Sequence, residues 1–155
     1  MGDKQVWANF ESEITTWLKE NYSPRFQYKN PYQSIVGFPP QYFRSDGMIT
    51  DGKTLLAVEV EARQTHPDTN TGKYWLLHKR YQQYQKIILF HVFTPLFDSY
   101  GCRKELAEFY VEEMKREVPI DYIPKDFRQG IDHENALSEL KHAIQEKIDR
   151  TLVDR

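Results

Sequence analysis

The chain has 155 residues, 39% of them hydrophobic and 28% charged, with a formal net charge of -2 and a pI near 6.2. This length suits one domain spanning residues 1–155, which would bury about two-thirds of the surface of the unfolded chain. The near-neutral charge argues against a strongly basic coat for nucleic acid. Cys102 is the single cysteine, so no internal disulfide can form. With no signal-peptide pattern or apolar run long enough to span a bilayer, we expect a cytoplasmic protein without membrane contact.

Apolar and aromatic residues recur at helical spacing between residues 4 and 21, which predicts an amphipathic helix. Its predicted core stripe comprises Trp7, Phe10, Ile14, Trp17 and Leu18. Residues 22–41 contain four prolines and many aromatics, so we expect an irregular crossing with one short strand at residues 34–38. Those aromatics could stack on nucleic-acid bases, although packing is their more common role beside proline-rich turns.

A β-hairpin is predicted at residues 45–61, where two runs rich in Val, Ile, Leu and Thr flank the dipeptide Asp51-Gly52. This dipeptide is typical of a two-residue type I′ turn. With these residues as the turn, Asp46 lies opposite Ala57 and is the diagonal neighbour of Glu59. The register therefore predicts that acids from both strands converge.

Alternation of side chains along the strands places three acids, Asp46, Glu59 and Glu61, on one face of the hairpin. The opposite face has the composition of a packed core, with Ile49, Leu56, Val58 and Val60. Grouped carboxylates raise each other's pKa unless a cation lies between them, and divalent cations such as Mg²⁺ take oxygen ligands. The pattern thus predicts a metal site. The other interpretation is a half-exposed strand end with solvated acids.

A helix is predicted at residues 71–84, because loop and N-cap residues precede a run with helical spacing. Lys73 then lies in its first turn, where the helix dipole disfavours a cation. Such a lysine points either into solvent or towards the group of acids. Lys79, Arg80 and Lys86 add further positive charge to this part of the sequence.

The C-terminal half adds two further strands and two helices to the predicted fold. A continuous apolar run at residues 86–93 predicts a strand covered on both faces and parallel to the strand of Glu59. A helix with Leu106, Phe109, Tyr110 and Met114, a strand at residues 120–123 and a last helix capped by Asp132 follow. The order α-β-β-β-α-β, then α-β-α, predicts a three-layer α/β/α domain around a central mixed sheet.

The acids and the element order together resemble the PD-(D/E)xK nuclease superfamily, which has a restriction endonuclease-like core. Ser45-Asp46 stands in place of Pro-Asp, and Glu59-Val60-Glu61 stands in place of (D/E)xK, with Glu where the motif has lysine. The resemblance covers residues 4–93 and does not extend to the C-terminal third. It implies a Mg²⁺- or Mn²⁺-dependent nuclease that hydrolyses DNA phosphodiesters.

The same resemblance implies a role for each candidate residue. Asp46, Glu59 and the backbone carbonyl of Val60 would hold the metal ion, and Glu61 would orient the attacking water or bind a second ion. Some similar nucleases recruit a lysine from the helix after the motif strand, and Lys73 is the candidate here. An enzyme that cuts both strands would be expected to form a homodimer.

Two other functions fit the same residues. The first is a catalytically inactive nuclease-like module that binds nucleic acid or protein, which the acidic pI and the absent motif lysine favour. The second is a carboxylate-based hydrolase that acts on another phosphoester.

Overall fold

The computed structural model describes residues 2–29, 45–63, 66–81, 84–97 and 102–154. The helices are α1 (Gly2–Ala8), α2 (Phe10–Tyr22), α3 (Pro67–Tyr81), α4 (Arg103–Met114) and α5 (His133–Thr151). The strands are β1 (Gln27–Lys29), β2 (Gly47–Thr50), β3 (Thr54–Glu61), β4 (Lys86–Phe93) and β5 (Ile120–Asp126). None of the helices in these ranges is long and apolar enough to cross a bilayer.

The five strands form one mixed sheet in the spatial order β1-β2-β3-β4-β5. The pairs β1/β2 and β2/β3 are antiparallel, whereas β3/β4 and β4/β5 are parallel. The predicted parallel pairing of residues 86–93 with the strand of Glu59 is therefore confirmed. Strand β1 was not predicted, and the strand expected at residues 34–38 lies outside the described residues.

Helices cover both faces of the sheet, which confirms the predicted three-layer α/β/α architecture. One core joins α1, α2 and α5 to the sheet face of Ile49, Leu56, Val58 and Val60. The other core joins α3 and the end of α4 to the face of Met48, Leu55 and Ala57. Strand β3 is buried along its whole length because helices lie on both sides of it.

The register of the predicted hairpin is wrong by two residues. Thr50 pairs with Leu55, and Gly47 pairs with Val58. The longer loop is stabilised by the side chain of Asp51, whose Oδ1 accepts from the N–H groups of Lys53 and Thr54 at 2.9 and 2.7 Å. A shift of two residues leaves every side chain on its predicted face, since faces alternate with a period of two.

Three helices differ from their predicted form. The segment at residues 4–21 is two helices separated at Asn9. Helix α3 begins at Pro67, four residues before the predicted start, and ends at Tyr81. In α4 the buried residues are Ala107, Val111 and Met114, whereas Phe109 is 56% exposed.

The last helix has its predicted N-cap, with Asp132 accepting from the N–H of Asn135 at 2.8 Å.

Helix α2 crosses the sheet over Gly47, the first residue of β2. A Cβ atom at this position would lie 3.2 Å from Thr15 Cγ2 and 3.4 Å from Leu18 Cδ2. The distance to Thr15 Cγ2 is shorter than ordinary van der Waals contact, so the glycine permits the close approach of helix and strand.

We predict that Gly47→Ala lowers the free energy of unfolding by about 1 kcal/mol, because the added methyl group pushes against α2. Thr15→Ser removes Cγ2 but keeps the hydroxyl that donates to the Glu11 carbonyl. The double variant should recover most of the loss. Chemical denaturation of the four proteins measures this, and equal losses with and without Thr15→Ser would contradict the packing argument.

Candidate active site

Asp46 lies immediately before β2 and reaches across to β3. Its Oδ2 accepts from the backbone N–H of Val60 at 2.7 Å. Continuing the observed pairing by one residue places Asp46 opposite Glu59, closer than the predicted diagonal position. The neighbouring Ser45 is buried and donates from Oγ to the carbonyls of Gly47 at 3.1 Å and Val58 at 3.3 Å, which fixes the start of the hairpin.

Glu59 is buried in β3 and receives two side chains from α3. Lys73 Nζ lies 2.6 Å from its Oε1, and the Tyr74 hydroxyl donates to the same oxygen at 2.6 Å. Burial raises the pKa of Glu59 to about 7, and the nearby charge of Asp46 adds to the rise, although Lys73 opposes it. Burial, followed by the charge of Glu59, raises the pKa of Tyr74 well above its usual range, so this hydroxyl keeps its proton.

The structure places Lys73 with the acids, so the alternative of a solvent-exposed lysine is wrong. Only 9% of its side chain is exposed. The predicted position of Lys73 in the first turn of the helix is wrong. Helix α3 begins at Pro67, so Lys73 lies in the second turn, beyond the strongest effect of the helix dipole. The carboxylate of Glu59 is what attracts this ammonium group.

Glu61 lies two residues further along β3 and is fully buried. Its Oε1 lies 2.7 Å from His91 Nε2 on β4 and accepts from the Asn70 side-chain amide at 2.7 Å. His91 Nδ1 lies 2.7 Å from the hydroxyl of Tyr122 on β5. Glu61 thus belongs to a polar cluster between the sheet and α3, and its role with water or a second ion stays a prediction.

Glu11 is a site residue that the sequence interpretation missed. It lies on α2 and forms a side-chain hydrogen bond with Asp46. Burial, then the charge of Asp46 and the hydrogen bond to it, raises the pKa of Glu11 to about 8. Glu11 therefore keeps its proton near neutral pH and donates it to Asp46. Its position four residues after Trp7 and seven before Leu18, within the apolar stripe, was the available signal.

The pKa of Asp46 is also raised, because burial disfavours its charged form. The N–H of Val60, the proton of Glu11 and the ammonium of Lys73 act in the opposite direction. The three carboxyl groups thus lie together, with a hydrogen bond between Glu11 and Asp46 and an ion pair between Glu59 and Lys73. The positive charge that such a group needs comes from the protein's own side chains.

The donor chemistry of this site fits a hard divalent cation. Glu11, Asp46 and Glu59 all offer carboxylate oxygens, which Mg²⁺ and Mn²⁺ prefer. As the side chains stand, no set of three or more His, Cys, Asp and Glu residues in the described ranges is grouped to hold an ion. Binding would therefore require Glu11 to release its proton and Lys73 to move from Glu59. The Val60 carbonyl stays a predicted ligand.

Two of the four positive charges expected downstream are paired with carboxylates. Lys73 is held inside by Glu59, and Lys79 pairs with Glu117 on the exterior at 3.2 Å. Two of these cations are thus already neutralised by carboxylates.

Comparison of the chain with protein-family models, with curated proteins and with solved structures gave no match.

The shared proton predicts a pH dependence of stability. An unfolded chain releases the Glu11 proton near the ordinary pKa of 4.5, whereas the folded protein holds it up to about 8. A folded-state pKa above the unfolded value favours the folded state at low pH. The free energy of unfolding should therefore fall as pH rises between these values.

We predict that Glu11→Gln makes this fall shallower, because the amide still donates to Asp46 and cannot ionise. The measurement is chemical denaturation at pH 5.5 and 8.5 in EDTA. Glu20→Gln, at an exposed position on the same helix, is the matched control and should keep the wild-type pH dependence. Parallel curves for wild type and Glu11→Gln would show that Glu11 does not hold the proton.

Proposed function

We propose that the chain is a metal-dependent phosphodiester hydrolase, a nuclease of the PD-(D/E)xK type that acts on DNA. The observation that carries the proposal is the contact of 2.6 Å between Lys73 Nζ and Glu59 Oε1. It brings a lysine from the following helix to the acids of a hairpin that lacks the motif lysine. Asp46, beside Glu59 at the start of β2, completes the set of acid and lysine that the proposed chemistry needs.

In this proposal Asp46, Glu59 and the Val60 carbonyl would hold Mg²⁺ or Mn²⁺, and Glu11, next to Asp46, would offer a further carboxylate. The ion, when bound, supplies Lewis-acid activation of water and stabilises negative charge on the phosphate. Lys73, displaced from Glu59 by the ion, would place its positive charge next to the reacting phosphate. Glu61 is proposed to orient water or to bind a second ion, and a homodimer would present two such sites to the two strands.

A non-catalytic module that binds nucleic acid or protein is the second candidate, and one observation favours it. The buried carboxyl groups are already compensated, since Glu11 holds a proton and Lys73 pairs with Glu59. Such a site is stable without an ion. The two candidates differ in whether a divalent cation displaces these internal charges.

We predict that Mn²⁺ raises the melting temperature of the wild type, because a ligand that binds only the folded state stabilises it. At 100 times its Kd the ion would raise the free energy of unfolding by about 2.7 kcal/mol. Plasmid and single-stranded DNA should be cleaved in Mn²⁺, and EDTA should stop cleavage. Asp46→Asn should abolish both effects and still fold, while Glu105→Gln on the exposed side of α4 should behave as wild type. DNA binding without metal dependence or cleavage would favour the module.

We predict that Lys73→Ala lowers the cleavage rate by about ten-fold or more, the scale of one lost charged contact in the transition state. Mn²⁺ should bind as tightly as in wild type, or more tightly, because the ammonium no longer competes for Glu59. Lys79→Ala, which breaks an exposed pair with Glu117, is the matched control. Wild-type turnover in Lys73→Ala would remove this residue from the proposed mechanism.

A further inference from the structure

A continuous series of hydrogen bonds lies behind the candidate active site and runs from β5 to α3. The Tyr122 hydroxyl contacts His91 Nδ1, and His91 Nε2 contacts Glu61 Oε1, each at 2.7 Å. The same Glu61 oxygen accepts from Asn70 Nδ2 at 2.7 Å. His91 and Glu61 are both fully buried, so these contacts are made without solvent.

Asn70 connects this series to the catalytic lysine. Its Oδ1 accepts from Lys73 Nζ at 3.2 Å, and Lys73 Nζ lies 2.6 Å from Glu59 Oε1. Asn70 and Lys73 are three residues apart on α3, so their side chains lie on the same side of the helix. The lysine side chain is long and flexible, and the contact with Asn70 restricts where its ammonium group can lie.

The amide of Asn70 has one donor end and one acceptor end, and only one orientation suits both neighbours. Glu61 accepts the NH₂ group, which turns the carbonyl oxygen towards Lys73. The reverse orientation would set NH₂ against an ammonium and oxygen against a carboxylate. The hydrogen bond to Glu61 therefore sets the orientation of the Asn70 amide, with its carbonyl oxygen towards Lys73.

The contact with His91 in turn positions the Glu61 carboxylate. A carboxylate only accepts hydrogen bonds, so the hydrogen of this contact is on His91 Nε2, and Nδ1 can accept from the Tyr122 hydroxyl. Burial raises the pKa of Tyr122, which keeps that hydroxyl protonated. Hydrogen bonds within a buried polar cluster of this kind hold its members in one arrangement.

We propose that Glu61, Asn70 and His91 are positioning residues that hold the Lys73 ammonium at the candidate active site, next to Glu59. The inference rests on the proposed function for its catalytic consequence, whereas the placement of the lysine can be tested without activity. In this inference Glu61, which stands at the position of the motif lysine, orients Asn70 on α3. Asn70 in turn positions Lys73, the lysine proposed to replace the motif lysine. Glu61 then acts on the position of Lys73 through Asn70.

The central experiment compares two amide substitutions at one buried position. His91→Gln places an amide near the Nε2 position and can still donate to Glu61, whereas His91→Asn keeps only a group near Nδ1 that reaches Tyr122. Cleavage should fall about ten-fold in His91→Asn, as in Lys73→Ala, and should stay within about two-fold of wild type in His91→Gln. Equal losses in the two variants would overturn the proposal.

A second comparison uses Asn70→Ala, which is expected to fold because Asn70 is half-buried on a helix and alanine favours helix. Its loss of rate should match that of Lys73→Ala, and combining the two substitutions should cause no further loss. A merely structural role for Asn70 would instead multiply the two losses. That result would also overturn the proposal.

The Lys73 ammonium can be observed directly by ¹H–¹⁵N NMR, without metal or substrate. Its slowly exchanging signal, assigned by its absence in Lys73→Ala, should be present in wild type and His91→Gln and lost in His91→Asn and Asn70→Ala. Persistence of the signal in all variants would overturn the positioning role. If wild type cleaves no DNA, the proposed function fails, and this NMR comparison still decides the placement of Lys73.

Discussion

The buried contact between Glu59 and Lys73 is the constraint on which the rest of the site depends. A carboxylate in the middle layer of an α/β/α fold is costly unless a cation reaches it, and removal of either partner would leave a buried charge. Lys73 and Tyr74 of α3 both reach the same oxygen, while Tyr74 and Leu77 also belong to the apolar core on that face of the sheet. Helix packing and site electrostatics therefore share residues of α3.

The fold was largely predictable from periodicity, and the errors concern details that periodicity does not encode. Alternation along β2 and β3 gave the correct faces even though the register was wrong, because the error was two residues. In α4, large apolar residues were expected to be buried, yet Phe109 is exposed and Ala107 is buried. Thr71 of α3 donates to the Ala107 carbonyl at 3.3 Å, and this close approach favours a small side chain over a large one.

Within the site, the sequence predicted the residues whose relation is local. Asp46 and Glu59 belong to one hairpin, so alternation was enough to bring them together. Glu11 was missed because its partner lies far away in the chain and only packing of α2 on the sheet joins them. His91 was missed because it occurs within an apolar run, where the pattern predicts burial and gives no information about polar partners on neighbouring strands.

Gly47 has a consequence for the geometry of the acids. Thr15 Cγ2 lies 3.2 Å from the position that a Cβ atom would take at residue 47, and Thr15 is one helical turn after Glu11. The approach of α2 to β2 therefore also affects how close the Glu11 carboxyl group comes to Asp46. A methyl group at position 47 would require Thr15 to give way by a few tenths of an ångström. The size of residue 47 thus offers a means to adjust the contact between Glu11 and Asp46 without changing either acid.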